Sequence, residues 1–180
     1  MPGVRSRTAL VTGCGAADSI GFAIARRLAA EGARVAITST TDRILDRGRE
    51  LGKGVFATTA DLTRPEDISR FVTEVEAALG PIEILINNAG MVQTGKKQKR
   101  TTFADASDAA WDFGLDINLT QVFRLTRAVL PGMIARRYGR IVQMSSVTGP
   151  LVAIQGSAIY GTAKAALTGM ARSCPGGLIA

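Results

Sequence analysis

Tyr160 and Lys164 lie four residues apart in a segment with helical periodicity, so both side chains would project from one face of a helix. A free phenol is a poor base near neutral pH, because its pKa is about 10. An adjacent ammonium group stabilises the phenolate and moves the pKa of the phenol toward a value at which it can transfer a proton. With Ser146 as a hydroxyl donor, the group could polarise a carbonyl during a hydride transfer. Taken alone, a Tyr-x-x-x-Lys pattern is more often a pair of surface residues.

Few other catalytic chemistries are open to this chain. It has no histidine, and its only cysteines are Cys14 and Cys174, so we predict no metal site and no Ser-His or Cys-His pair. The net charge of +7 is mostly spread along the helical segments. The basic run from Lys96 to Arg100 is interpreted as a solvated loop, with contact to a substrate or a phosphate as the alternative. Because no aromatic platform accompanies this run, we expect no nucleic-acid partner.

The chain also shows no pattern typical of membrane attachment or export. No apolar stretch approaches the length of a membrane span, and the apolar run near the N-terminus is too short for a signal-peptide core. Sparse cysteine is typical of a reducing compartment. We therefore predict a cytoplasmic protein with no membrane partner.

The elements that would position these residues alternate between short apolar strands and longer helices. Such alternation implies right-handed crossovers, and the predicted fold class is therefore α/β, a doubly wound Rossmann-type parallel sheet of at least five strands. Pro131 is expected to bend or interrupt a long helical region that reaches Arg137. The predicted strands are Thr8 to Thr12, Arg34 to Thr38, Val55 to Thr58, Ile82 to Ile86 and Arg140 to Met144; helices are predicted for Ile20 to Glu31, Asp42 to Leu51, Pro65 to Leu79 and Ile159 to Arg172.

A glycine-rich turn, from Thr12 to Gly21, joins the first strand to the first helix. Dinucleotide-binding folds place a pyrophosphate at this junction, where small residues admit the phosphates and the helix offers free N–H groups. A bare strand-to-helix connection is the alternative. Polar residues follow later strands at the same predicted edge of the sheet: Asp61 after the third, Asn87 to Gly90 after the fourth, and Ser146 after the fifth. A ligand site at this edge is therefore predicted.

The order of the motifs resembles that of the short-chain dehydrogenase/reductase family from about residue 6 to 172. Along the chain these motifs are the glycine-rich turn, Asp61, Asn87 to Gly90, Asn118, Ser146, and Tyr160 with Lys164. The segments around Arg140 and Ser146 resemble the 3-oxoacyl-carrier-protein reductase branch in particular. The resemblance implies that Tyr160 is the general acid in reduction and that Lys164 supports it and holds the nicotinamide ribose. It also implies that Ser146 orients the substrate carbonyl and that Asn118 holds a water that links Lys164 to solvent.

The same resemblance implies a set of cofactor-binding residues. Asp61 would contact adenine, although capping of the next helix is an alternative role for it. For Asn118 the alternative is a polar helix residue that faces water. The cofactor residues implied are Gly13, Ser19, Ile20, Gly21, Ser39, Thr40, Asp61, Leu62, Asn87, Ala89, Gly90, Tyr160 and Lys164.

The end of the second strand bears on the choice of cofactor. An acidic residue there would bind a ribose 2′-hydroxyl and repel a 2′-phosphate. Ser39 and Thr40 stand there instead, with Arg43 close by, and this combination favours NADP(H). NAD(H) remains the alternative, with Asp42 as the ribose partner.

Three departures from the family pattern are expected to matter. The glycine turn is longer than usual and has Ser19 where a middle glycine is expected. Ser146 precedes Tyr160 by 14 residues, one more than expected. The last two strands of the family are absent, so residues 1–173 are interpreted as the Rossmann domain and residues 174–180 as a tail outside the family pattern, as in a truncated chain.

The predicted function is that of an NAD(P)-dependent oxidoreductase that interconverts a ketone and a secondary alcohol, with a 3-oxoacyl thioester as one candidate substrate. Because the missing strands would leave apolar surface uncovered, a homo-oligomer is expected. The alternative is a non-catalytic protein that binds a nucleotide or only associates with other subunits.

Overall fold

A computed structural model describes residues 3–90 and 102–173 of the chain. The basic run from Lys96 to Arg100 and the tail 174–180 lie outside these residues. Within them, five parallel strands form one sheet in the order β3-β2-β1-β4-β5. The strands are β1 (Thr8–Thr12), β2 (Arg34–Ser39), β3 (Phe56–Thr59), β4 (Ile84–Asn87) and β5 (Arg140–Gln143). The predicted doubly wound α/β fold is confirmed.

Six α-helices occur in the described residues, and most begin and end within two residues of the prediction. The helices are α1 (Ile20–Ala30), α2 (Arg43–Leu51), α3 (Pro65–Leu79), α4 (Asp108–Leu115), α5 (Gln121–Ala135) and α6 (Ala158–Arg172). A π-helical turn, Asp116–Thr120, joins α4 to α5.

Pro131 lies inside α5 and does not end it, so of the two predicted effects, a bend or an interruption, the interruption is wrong. The helix continues to Ala135, because Val129 and Met133 on either side of the proline pack in the hydrophobic core. The irregularity lies instead in the π-helical turn before α5. Tertiary packing has here outweighed a local helix-breaking tendency.

The sheet lies between two layers of helices, each with its own apolar cluster. Leu10, Leu85 and Ile141 face one cluster, to which α3 contributes Phe71 and α5 contributes Leu125. The opposite cluster is formed by further strand residues with side chains of α1 and α2: Val11, Val35, Ile37, Phe22, Ala25 and Ile44. Strands buried on both faces explain the continuous apolar runs in the sequence.

Because all strands are parallel, their carboxyl ends share one edge of the sheet, and the strand order turns back between β1 and β4 at that edge. Ligands of open α/β sheets bind beside this reversal point. Helix α6 packs against α4, the π-helical turn and β5, and it carries Tyr160 and Lys164 to the same region. None of the helices in residues 3–90 and 102–173 combines the length and the apolar character needed to cross a membrane.

Candidate active site

The glycine-rich turn after β1 packs closely against the loop after β4. Gly13 has a positive φ of 75°, and a Cβ atom on it would lie 2.8 Å from Nδ2 of Asn88. A Cβ atom on Gly21 would lie 2.5 Å from the same nitrogen. Any side chain at either position would therefore push the two loops apart. Asn88 was not among the predicted site residues, although its place in the Asn-Asn-Ala-Gly segment could have indicated it.

Some backbone amides of this turn donate hydrogen bonds within the protein, and others do not. The Gly13 and Cys14 amides both donate to the Thr38 carbonyl, at 3.0 and 3.1 Å. Ile20 and Gly21, in the first turn of α1, have no acceptor for their amides among the described residues. These two N–H groups, at the positive end of the helix dipole, are thus free to bind an anion.

Ser19 occupies the N-cap position of α1 rather than a free position in the turn. Its hydroxyl accepts from the Phe22 amide at 3.2 Å and donates to the Ala16 carbonyl at 2.8 Å. A serine here stabilises the helix start, which accounts for the departure from the expected glycine. The neighbouring Ile20 side chain is 63% exposed, an unusual position for a large apolar group.

The end of β2 presents hydroxyl groups and a guanidinium next to the glycine turn. The Ser39 hydroxyl donates to the Thr41 carbonyl at 3.0 Å, and it would lie 3.0 Å from a Cβ atom on Gly15. Arg43 donates through Nε to the Thr41 hydroxyl at 3.3 Å. Asp42 is exposed and makes no capping hydrogen bond to α2.

Asp61 organises the loop after β3, and Leu62 beside it is buried in the core. The Oδ1 atom of Asp61 accepts from the amide and the hydroxyl of Thr63, at 3.0 and 2.7 Å. The N-cap of α3 is Arg64, so the alternative role of Asp61 as the cap is wrong. Hydrogen bonding to the Asp61 amide lowers the pKa of Asp67, so this second carboxylate holds the loop from the other side.

The Asn87 side chain points toward α5. Its Nδ2 atom donates to the Thr126 hydroxyl at 3.0 Å, and only 2% of the residue is exposed. Its carbonyl accepts from the Met144 amide at 3.0 Å, which joins the ends of β4 and β5. In this structure Asn87 therefore holds the strand ends together, while the chain continues through Ala89 to Gly90, which lies beside Lys164 and Asn118.

Lys164 is deeply buried, unlike a residue of a surface helix pair. Only 3% of it is exposed, and its Nζ atom donates to the Met144 carbonyl at 2.7 Å. The Nζ atom lies 5.7 Å from the centre of the Tyr160 ring. Burial lowers the pKa of the Lys164 ammonium group. Of its three N–H donors, Met144 takes one, so two remain for Tyr160, a ligand or water.

Asn118 meets Lys164 beside the backbone of Gly90. A Cβ atom on Gly90 would lie 3.2 Å from Nζ of Lys164 and 3.4 Å from Oδ1 of Asn118. Asn118 is 4% exposed, so the alternative that it faces water is wrong. Its Nδ2 atom donates to the Gly114 carbonyl at 2.9 Å, while its Oδ1 atom has no partner among the described residues. A buried acceptor without a donor requires an explanation, and a bound water or ligand would provide one.

Asn118 lies in the π-helical turn, where the Gln121 amide bonds to the Asp116 carbonyl five residues earlier. Such π-helical bulges in helices occur frequently at functional sites. The turn sets the orientation of Asn118 toward Gly90 and Lys164. No periodicity in the sequence indicated it.

Ser146 lies in the loop after β5, which is attached to α6. The Ser146 hydroxyl accepts from the Thr148 amide at 3.1 Å, which leaves its own proton available for donation. The adjacent Ser145 donates to the Lys164 carbonyl at 2.7 Å. The structure thus brings Tyr160, Lys164 and Asn118 together and anchors the serine loop to the same helix.

The sequence that forms this site matches a known family model. The model described as short chain dehydrogenase matches residues 7–176. The chain belongs to the short-chain dehydrogenase family. The resemblance inferred from the motifs is confirmed.

Curated relatives include the oxidoreductase UcpA of Escherichia coli K12, which is 41% identical over 170 residues. The match covers 93% of this chain and 62% of UcpA. The 3-oxoacyl-[acyl-carrier-protein] reductase MabA of Mycobacterium avium is 38% identical, over 96% of this chain and 61% of MabA. The chain thus spans about three fifths of the length of these curated relatives.

Solved structures give the same family assignment. A metagenomic short-chain oxidoreductase in complex with NADP has a TM-score of 0.83 and 33% identity, and the match covers 94% of this chain and 75% of that protein. A short chain dehydrogenase from Mycobacterium smegmatis has a TM-score of 0.81 and 30% identity, with 94% and 70% coverage.

Proposed function

We propose that this chain interconverts a ketone and a secondary alcohol by hydride transfer, with NADP(H) as its cofactor. The observation that carries the proposal is the burial of the Lys164 ammonium group near the Tyr160 ring and, together with the Asn118 Oδ1 atom, beside Gly90. A buried cation near a phenol and an unpartnered amide oxygen is costly for stability. The Lys164 ammonium group lies at the carboxyl edge of the sheet, where ligands bind, and a role in proton transfer would account for this cost.

In the proposed reduction, Tyr160 donates its proton to the carbonyl oxygen of the substrate. The Ser146 hydroxyl, held by Thr148, donates a hydrogen bond to the same oxygen and stabilises the developing charge. Lys164 stabilises the phenolate that remains. The Oδ1 atom of Asn118 holds a water beside Lys164, through which the site regains its proton. When bound, the nicotinamide supplies the hydride in reduction and accepts it in oxidation.

The residues present fit a dinucleotide. The free amides of Ile20 and Gly21 suit the pyrophosphate, and Asp61 retains its Oδ2 atom for adenine. Ser39, Thr40 and Arg43 suit a 2′-phosphate, which supports NADP(H) rather than NAD(H). The solved relative that contains NADP is consistent with this choice.

The substrate class proposed is a 3-oxoacyl thioester. Two relatives, MabA at 38% and the FabG reductase of Escherichia coli at 36% identity, are named as 3-oxoacyl-[acyl-carrier-protein] reductases. The exposed apolar side chains of Val147, Leu151 and Val152, in the loop that follows Ser146, could contact an acyl chain. Simple ketones serve as the comparison substrates.

We also propose that two copies of the chain associate through α5 and α6. A mostly apolar groove of about 290 Å³ lies between these helices, and Phe123 and Ile134 in it are 47% and 51% exposed. Burial of such side chains favours association. Light scattering after size-exclusion chromatography measures the mass directly, and a monomer at all concentrations would contradict this proposal.

The cytoplasm is the proposed location, which cell fractionation can test.

The proposed activity is tested by following NADPH absorbance with a panel of 3-oxoacyl thioesters and simple ketones. Tyr160→Phe removes the proton donor, so we expect loss of turnover with NADPH binding retained. The matched control is Tyr138→Phe, the other tyrosine of the chain, whose ring stacks on Arg7 at 3.8 Å. Tyr138→Phe should remain active. NADPH binding without turnover by the unmodified chain would instead favour a non-catalytic nucleotide-binding or subunit-association protein.

A further inference from the structure

Gly149 and Gly161 bring the serine loop and helix α6 into direct backbone contact. A Cβ atom on Gly149 would lie 2.1 Å from the Gly161 carbonyl oxygen and 2.9 Å from its Cα atom. A Cβ atom on Gly161 would lie 3.4 Å from the Gly149 Cα atom. The two backbones therefore meet with no side chain between them.

The position of this contact relates it to two site residues. Gly149 follows Ser146 by three residues, and Gly161 directly follows Tyr160. The segment from Ser146 to Val152 is short and internally bonded, since the Thr148 amide donates to the Ser146 hydroxyl and the Gly149 amide to the Val152 carbonyl. A shift of Gly149 away from α6 would therefore move Ser146 as well.

A local backbone requirement does not account for both glycines. Gly149 has a positive φ of 101°, which favours glycine on its own. Gly161 lies inside α6 and is not among the described residues with positive φ. A glycine inside a helix costs about 1 kcal/mol relative to alanine. At position 161 a Cβ atom would lie at ordinary contact distance, 3.4 Å, from the Gly149 Cα atom, so the close approach of Gly149 restricts this position to small side chains.

We propose that the Gly149–Gly161 contact is a positioning contact that sets the separation between the Ser146 and Tyr160 hydroxyl groups. It rests on the proposed function, in which both hydroxyls act on one carbonyl oxygen. The second attachment, from Ser145 to the Lys164 carbonyl, holds the loop one turn further along α6.

The test introduces side chains of increasing size at position 161. Gly161→Val places branched atoms against Gly149, and we expect kcat to fall about 10²-fold, as for a misplacement of about 1 Å. The KM for NADPH should stay within about twofold, since the proposed pyrophosphate and adenine contacts, Ile20, Gly21 and Asp61, lie outside α6. Gly161→Ala should recover most of the activity, because its Cβ atom would be near ordinary contact distance. The control is Gly169→Val in the same helix, where a Cβ atom would meet nothing within 4 Å.

A double-mutant cycle separates positioning from general destabilisation. If Gly161→Val acts by displacing Ser146, its effect on kcat should largely disappear in a Ser146→Ala background. An equal loss in both backgrounds, or full activity of Gly161→Val, would overturn the proposal.

Crystal structures of the unmodified chain, Gly161→Val and Gly169→Val give a readout that needs no turnover. A longer distance between the Ser146 and Tyr160 hydroxyl oxygens is expected in Gly161→Val alone. An inactive unmodified chain would refute the proposed function, whereas an unchanged distance would refute the positioning contact.

Discussion

The hydroxyl oxygen of Thr12, at the end of β1, accepts a hydrogen bond from the backbone amide of Asn88, 3.0 Å away, at the end of the neighbouring strand β4. The same oxygen accepts from the Ala89 amide at 2.9 Å. Asn88 in turn donates through Nδ2 to the carbonyls of Thr12 and Gly13, at 2.9 and 3.3 Å. This reciprocal pairing joins the glycine turn to the loop that leads to Gly90.

Replacement of Thr12 by valine should therefore affect both stability and cofactor binding. The substitution leaves the Ala89 amide without an acceptor and removes one of the two acceptors of the Asn88 amide, which also donates to the Ile86 carbonyl at 3.1 Å. We expect this to cost about 1–3 kcal/mol in the free energy of unfolding. It should also weaken NADPH binding, because the glycine turn loses its support. Urea denaturation and NADPH fluorescence measure the two effects.

Thr8→Val is the matched control for this prediction. Thr8 lies at the other end of β1 and donates to the Leu79 carbonyl at 2.8 Å, far from the ligand edge of the sheet. Its replacement should lower stability and leave NADPH affinity unchanged. Equal NADPH affinities of the two variants would refute the proposed role of the Thr12–Asn88 pair.

Ser39→Asp should change the cofactor preference. A carboxylate at the end of β2 would repel a 2′-phosphate and could accept a hydrogen bond from a 2′-hydroxyl. The ratio of kcat/KM for NADPH to that for NADH should fall by at least about tenfold, which corresponds to about 1.4 kcal/mol. Asp42→Asn tests the alternative, and it should leave the ratio unchanged. A loss of NADH use in Asp42→Asn would indicate that Asp42 is the ribose partner.

Asn118→Ala should reduce turnover more than stability. The substitution removes the unpartnered oxygen that faces Lys164 and Gly90, together with the hydrogen bond to Gly114. We expect kcat to fall by about 10²-fold or more, in the range of a proton-transfer contribution, with NADPH binding retained. Gln121→Ala is the comparison, because Gln121 also donates its side-chain amide to a carbonyl four residues earlier. Similar kcat values for both variants would contradict a role for Asn118 in proton supply.

Lys164 should make stability depend on pH. Burial lowers its pKa, so between that lowered pKa and the ordinary value the unfolded chain binds more protons than the folded one. The free energy of unfolding should therefore rise as pH increases from the lowered pKa of Lys164 toward its ordinary pKa. The same contribution is lost when pH falls through the lowered pKa.

Denaturant titrations of the unmodified chain and Lys164→Met from pH 7 to 10 check this sign. The difference between the two should shift in favour of the unmodified chain as pH rises. Lys53→Met removes an exposed lysine and should run parallel to the unmodified chain. Parallel curves for Lys164→Met as well would show that its burial is not coupled to protonation.

The fold could be predicted largely from the sequence, because short apolar runs and helical periodicity are local properties. The edge that gathers Asp61, Gly90 and Ser146 was also predictable, since parallel strands end on one side of the sheet. The course of the chain around Asn118 could not be predicted from the sequence. The sequence suggested a bend or an interruption at Pro131, whereas the structure continues α5 through Pro131 and places a π-helical turn at Asp116–Thr120.

By itself, the sequence determined the alternating architecture, the membership suggested by its motifs, and the residue types available for proton transfer. These follow from periodicity and spacing, which neighbouring residues carry. The tertiary structure alone decided that Lys164 is buried, that the Asn118 oxygen and the Lys164 ammonium group lie beside Gly90, and that Gly149 contacts Gly161. Each of these features depends on atoms that are far apart in the chain. Close packing in three dimensions sets the distances between these atoms, and no local sequence pattern records them.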